Sequence, residues 1–253
     1  MPALSPFAQL AARNLRGTAA LITEPDLVSV GALVGVGARE MHAIIDVESS
    51  GRGFYADGRL KLLFEPHVFY RRLSGEKRDR AVKAGLAYPK WGTKPYPKDS
   101  YPRLVQAMAI DETAALMACS YGMTQIMGEN HSACGFLTPQ DMVTAFCSGE
   151  KAQMAATVAL IKSMGLAGAL KAHDWARVAR GWNGAAYAKN KYDAKLKAAY
   201  ARHAAGLPLG SAKPVLAKNA PAGLPAAAPA TGFSLAGFLA ALFTPSTPTP
   251  AAA

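Results

Sequence analysis

One acid in the chain is placed for proton-transfer chemistry. Glu48 closes a run of helix formers, Arg39 to Val47, and is followed at once by Ser49, Ser50, Gly51 and Gly53. Apolar Met41, Ile44 and Ile45 recur at helical spacing, and the Ser/Gly run halts the pattern, which predicts a buried helix ending at Glu48. A carboxylate there faces the negative end of the helix dipole. Apolar neighbours on the same face raise its pKa further. Both effects keep a proton on the group near neutral pH, as a general acid requires. The competing reading is a solvated acid on a helix end, and Glu48 alone does not choose between them.

Two later stretches carry side chains suited to gripping a polar ligand. Gly122 lets backbone approach a ligand closely, and Gln125, three residues on, offers both an amide donor and an acceptor. Trp182-Asn183-Gly184 is followed by Tyr187, adding a second amide and two aromatic faces. Turn chemistry and core packing would use the same residues without any ligand.

The elements that must position these groups are mostly helical. Residues 1–22 read as a loose lead-in of at most a turn or two of helix. Thr23, with Pro25 and Asp26 after it, caps a helix running to about Val34, and Gly35 and Gly37 turn the chain into the Glu48 helix. Leu60 to Glu65 alternates and is bounded by Asp57-Gly58 and Glu65-Pro66, as a strand with a hairpin partner at Gly53 to Tyr55 would be. Pro66 holds Glu65 extended, and His67 to Leu73 reads as a short helix. Ser74 to Tyr101 reads as irregular, rich in proline and aromatics, a length that in a compact domain is functional or disordered. Helices follow at Arg103 to Ile110, Glu112 to Ala118, Thr138 to Cys147 and Glu150 to Met164. Asp174 caps Trp175 to Arg180, Gly181 to Gly184 reads as a turn, and Tyr187 to Ala205 as a last amphipathic helix carrying five basic residues.

Composition bounds the rest. Half of the 253 residues (51%) are hydrophobic, ample for a core, and the net charge is +11. The only charged residues after Ala205 are Lys213 and Lys218, so +9 falls on residues 1–205. A basic face implies a polyanionic partner: nucleic acid, an anionic membrane or cell-wall polymers. Cys119, Cys134 and Cys147 are sparse and odd in number, which argues for buried free thiols over a disulfide framework or zinc site. No His/Cys/Asp cluster has metal-ligand spacing, so no metal and no cofactor are expected. The first twelve residues contain no Lys or Arg, unlike a secretory signal. Residues 206–253 are Ala/Pro/Thr-rich and are expected to stay disordered. Within them, Phe233 to Phe243 is apolar but too short to span a bilayer. It reads either as a membrane-surface or protein-contact segment or as a short unstable helix.

Taken in order, Glu48-Ser49, Gly122-x-x-Gln125 and Trp182-Asn183-Gly184 with Tyr187 resemble the E-S, G-x-x-Q and Y-N-x-G signatures of goose-type lysozymes and soluble lytic transglycosylases. V-E-S-S-G, the L-F-E-P-H-V-F-Y-R-R-L stretch from Leu63 to Leu73, S-Y-G-M-T-Q-I-M-G, and W-N-G-A-A-Y followed by Tyr192, Asp193, Lys195 and Leu196 resemble more closely the N-acetylmuramidase family of bacteriophage endolysins. The resemblance spans about Thr23 to Ala205. It implies a mainly α, lysozyme-like α+β fold: a helical bundle with a small β-hairpin beside the cleft. It also implies cleavage of the β-1,4 bond between N-acetylmuramic acid and N-acetylglucosamine, with Glu48 as catalytic acid. Ser49, Gly122, Gln125, Trp182, Asn183 and Tyr187 would then line the glycan site.

Hydrolysis by this route calls on a second carboxylate to activate water or stabilise the developing cation. Glu65, on the L-F-E-P-H match, is the first choice, ahead of Asp46 and Asp57. The plain alternative for Glu65 is a surface salt bridge to Arg71 or Arg72. If Glu65 is idle, the sugar's own hydroxyl attacks and the enzyme is a lytic transglycosylase. A non-catalytic wall-binding or virion protein and a basic nucleic-acid binder complete the alternatives, and no recognised nucleic-acid motif supports the last. Many endolysins of this kind carry a wall-binding domain ahead of the muramidase. Residues 1–22 are too few to form one, so the domain's positive charge is expected to hold it to an anionic wall. The expectation is a monomer, made in the host cytoplasm without a signal peptide and delivered to the wall by other means.

Overall fold

The computed structural model describes residues 4–49 and 51–205; the apolar segment at 233–243 lies outside them. The lead-in forms α1 (Pro6–Ala11), capped by Ser5, and buries Phe7 and Leu10 against the helix at Pro139–Ser148. Its continuation is stitched down as well. Leu15 is buried, and the Ala19 and Ala20 amides donate to the carbonyls of Cys147 and Ser148. The segment is therefore part of the packed structure and not loose.

Local signals place the next helices. Thr23 and Asp26 form the reciprocal capping box of α2 (Glu24–Ala32), and α3 (Ala38–Glu48) ends where the Ser/Gly run begins, with Ser49 extended at its C-cap. Beyond it Tyr55 donates to the Arg59 carbonyl and Lys61 to that of Gly53, making a rudimentary hairpin around Asp57-Gly58. The strand that follows, β1 (Leu62–Phe64), pairs elsewhere. Its partner is β2 (Cys119–Tyr121), which pairs in turn with β3 (Ile126–Met127), giving an antiparallel sheet in the order β1-β2-β3. The registers are Leu63 with Ser120 and Ser120 with Met127.

Between β1 and β2 run α4 (Pro66–Arg72), α5 (Gly75–Lys83), α6 (Tyr101–Met108) and α7 (Glu112–Met117). Helix α5 corrects the reading of Ser74 to Tyr101 as irregular throughout. It has almost no apolar stripe, burying only Ala81, so periodicity did not reveal it. Good helix formers and tertiary contacts carry it. Arg78 lies 4.7 Å over the Tyr70 ring and donates to the Tyr70 carbonyl, and Lys77 meets Asp111 at 2.7 Å.

The rest is α8 (Pro139–Ser148), with a capping box from Thr138 and Asp141, then α9 (Glu150–Ser163), α10 (Ala167–Lys171), α11 (Trp175–Asn183) and α12 (Tyr192–Ala204). Two sequence readings need correction here. Trp182 and Asn183 are not in a turn but in the last turn of α11, which Gly184 ends at φ +72°. The segment read as one long helix from Tyr187 is broken into a 3-10 turn (Ala185–Asn190) and α12, with Lys191 left-handed between them. The three cysteines are free and buried, and burial pushes the Cys147 thiol up to about 12.

Apolar side chains gather in two clusters. One surrounds the sheet with α1, α4, α6, α7 and α8. The other surrounds α3 with α2, α10, α11 and α12. Helix α9 belongs to both: Ala156 and Leu160 face the first, and Met154, Ala155, Val158 and Ile161 the second. It is buried along most of its length between the two, with ten of its fourteen residues buried. Trp182 packs against both clusters at their seam.

Candidate active site

Glu48 ends a helix of the α3 cluster, and Glu65 starts α4 in the sheet cluster, so the two acids come from opposite cores. Glu48 is 7% exposed. Burial pushes its carboxyl up to about 7, against smaller opposing effects from Asn183, Trp182 and Lys195, which favour its charged form. Asn183 Nδ2 donates to Glu48 Oε1 at 3.2 Å, and the Trp182 side chain lies beside the same carboxyl. Both come from the end of α11, so the helical placement that sequence reading missed is what aims them at α3. Tyr192 and Lys195, one turn apart on α12, lie near Glu48, with the Lys195 ammonium 5.1 Å from the Tyr192 ring centre.

Glu65 is buried and holds two partners on one oxygen. The Tyr96 hydroxyl donates to Oε2, and His67 Nδ1 lies 3.3 Å from it. Oε1 has no hydrogen-bond partner among the described residues. The expected alternative, an ion pair with Arg71 or Arg72, is not made. Both arginines pair with Glu129, Arg72 Nη2 at 2.6 Å. Tyr96 comes from the proline- and aromatic-rich stretch before α6. That stretch is fastened at its end by Asp99 to Arg59 at 3.0 Å and by Tyr101 to the Leu60 carbonyl. The other acids considered are engaged elsewhere. Asp46 binds Arg202 and His203, each at 2.9 Å, and Asp57 binds Arg59 and Arg16 at the hairpin tip.

The remaining sequence candidates divide. Ser49 is buried, but its hydroxyl is turned onto Gly51, whose amide donates to it at 2.9 Å. Gln125 stands at φ +52° and uses both ends of its amide locally: Nε2 donates to the Gly122 carbonyl at 2.8 Å, and Oε1 accepts from Ser120 Oγ. Its amide thus shapes the loop between β2 and β3. Gly122, at φ +71°, leaves no room for a Cβ, which would meet Gln153 Oε1 at 2.5 Å. Tyr187 is partly buried, with Arg180 5.5 Å from its ring centre. The structure therefore brings Trp182 and Asn183 to Glu48, leaves the polar groups of Ser49 and Gln125 engaged in their own loops, and packs Tyr187 against the α3 cluster beside Arg180. Sequence reading missed Tyr96, His67, Glu150 and Gln153. The aromatic density before Tyr101 was the one signal that pointed at Tyr96. Among the described residues, no group of three or more His, Cys, Asp or Glu side chains is arranged to hold a metal ion.

Comparison with known proteins gives the class first. The chain is similar to the crystal structure of Burkholderia AP3 phage endolysin, with a TM-score of 0.66 and 34% sequence identity over 75% of this chain and 73% of that one. With a mostly helical body and a small antiparallel sheet, the fold is lysozyme-like. The N-acetylmuramidase family matches residues 38–204, and the chain belongs to that family. It is a peptidoglycan-hydrolysing muramidase, a glycoside hydrolase. No curated protein matches the chain.

Proposed function

We propose that Glu48 is the general acid of this muramidase. The supporting observation is a carboxyl buried at a helix end, brought to about 7 by burial and held by Asn183. In this reading Glu48 gives its proton to the glycosidic oxygen as the bond to the muramic acid carbon breaks, leaving an oxocarbenium-like centre and a free sugar hydroxyl. Glu65 is the second carboxylate. With Oε2 held by Tyr96 and His67, its other oxygen assists the water or the developing cation; the water's oxygen completes the new reducing end, and the proton it gives up restores the acid form of Glu48 by way of solvent. Asn183 orients Glu48, Trp182 offers its ring at the seam between the cores, and Gly122 and Gln125 shape the loop on the sheet side. The positive charge of residues 1–205 favours an anionic wall as the place of action, and an endolysin-type role acting on the wall from a protein made in the cytoplasm fits that charge.

The test is mass analysis of soluble products from purified peptidoglycan. Wild type is expected to release reducing-end N-acetylmuramic acid, and Glu48→Gln to release almost nothing. Full-rate release by Glu48→Gln would remove the acid assignment. Anhydro products, undiminished in Glu65→Gln, would remove the role given to Glu65.

A further inference from the structure

The N-terminal turn of α9 holds two buried polar side chains that the proposed chemistry does not use. Glu150 is 0% exposed and Gln153 1%. Each is hydrogen-bonded at both of its side-chain polar atoms, and their partners include Gly53, after Glu48, and Met123, in the loop between β2 and β3. Glu150 Oε1 accepts from the Gly53 amide at 2.8 Å, and Oε2 accepts from the Ile22 amide at 3.0 Å and from Arg52 at 3.5 Å. This fixes the segment that leaves Glu48. One turn on, Gln153 Oε1 accepts from the Met123 amide at 2.8 Å, and Nε2 donates to the Phe146 carbonyl at 3.1 Å. This fixes the Gly122–Gln125 loop. Gln153 also lies flat against both glycines: a Cβ on either Gly53 or Gly122 would overlap its amide. One residue therefore touches both the segment that carries the chain from Glu48, at the end of α3, into the sheet core at Phe54, and the loop between β2 and β3 of that core, from a helix that both cores share.

Burying a carboxylate and an amide costs several kcal/mol unless every polar atom is paired, and an apolar pair would fill the same space without that cost. The hydrogen bonds specify what apolar packing does not: the distance and angle between the two loops. We propose that Glu150 and Gln153 are positioning residues, a clamp on α9 that sets the Glu48 side of the cleft against the Gly122–Gln125 side. The inference rests on the assignment of Glu48 as acid. A misplacement of about 1 Å in such a site costs up to about a hundredfold in rate, so the clamp's effect is expected in turnover and not in glycan binding.

The experiment compares wild type, Glu150→Gln, Gln153→Met and Glu48→Gln as full chains on purified peptidoglycan. Rates are normalised to folded protein by circular dichroism. The clamp variants are expected to lose about tenfold to a hundredfold in kcat with KM within about twofold, and to shift the alkaline limb of the kcat–pH profile. Adding Gly53→Ala to Gln153→Ala is expected to cost little more than Gln153→Ala alone, because the residue it collides with is gone; Gly53→Ala by itself is expected to be severely impaired. Three outcomes overturn the clamp: normalised kcat within twofold of wild type, a loss with an unmoved pH profile, or strictly additive Gly53 and Gln153 effects. An active Glu48→Gln overturns the acid assignment first, and the clamp with it. Inactive Glu48→Gln beside fully active clamp variants overturns the clamp alone.

Discussion

Asn183 donates its side-chain N–H to Glu48 Oε1 at 3.2 Å across a sequence separation of 135 residues. The contact joins the end of α11 to the end of α3 and gives the buried carboxyl a partner that favours its charged form. Burial acts the other way and is larger, so the balance lies near 7. Removing the amide tips the balance further toward the protonated form. Asn183→Ala is expected to move the alkaline limb of kcat/KM to higher pH and to lower the rate about tenfold through looser orientation of the acid. A pH–rate profile measured on both proteins checks this, and an unmoved limb would count against the contact.

The raised pKa of Glu48 also has a stability consequence. The unfolded chain releases this proton near the ordinary value of 4.5, whereas the folded protein keeps it to about 7. Between those values the folded state holds more protons, so stability falls as pH rises through the window and the full cost is present above it. Glu48→Gln, which keeps the acceptor for Asn183, escapes that cost. At pH 8 it is expected to be more stable than wild type by up to about 3 kcal/mol, using about 1.4 kcal/mol per pKa unit. The gap should close toward pH 4. Thermal melts across that range would show it, and a pH-independent gap would contradict burial as the cause.

Glu65 and Glu129 make opposite predictions although each is a buried acid close to α4. Glu129 takes Arg71 and Arg72, which are more than a third exposed and can turn to water if it is lost. Glu129→Ala is expected to cost about 1–2 kcal/mol of stability, less than a fully buried pair would, with the rate per folded molecule unchanged. Glu65→Gln is expected to fold normally and to lose at least about a hundredfold in kcat. Chemical denaturation and turnover on the same two variants separate a structural acid from a working one.

Tyr96 is the hydroxyl donor to Glu65 Oε2. Tyr96→Phe keeps the ring and removes the donor, and kcat is expected to fall about threefold to tenfold, in keeping with one charge-assisted hydrogen bond made outside the reacting atoms. KM should change little. A Tyr96→Phe enzyme indistinguishable from wild type would mean that His67 alone suffices to hold Glu65.

Much of the helical framework was legible because its signals are local. The Thr23 and Thr138 capping boxes, the Asp174 cap and the Ser/Gly stop after Glu48 act within a turn or two of the residues they govern. The same holds for the dipole argument that singled out Glu48. Helix α5 was hidden because charged contacts, and not an apolar stripe, support it. The pairing of β1 with β2 was hidden because strands of three residues carry almost no periodicity and their register depends on partners far along the chain.

What the sequence alone determined is therefore most of the capped and amphipathic helices, the identity of the candidate acids and the family to which they belong. Tertiary structure decided which acid is buried and which is spent. It sent Arg71 and Arg72 to Glu129 and left Glu65 to Tyr96 and His67, brought Asn183 to Glu48, and set Gln153 between the segment after Glu48 and the β2–β3 loop. The physical reason is that desolvation and hydrogen-bond partnership depend on distance in space, and a single chain encodes that distance only through the packing of the whole.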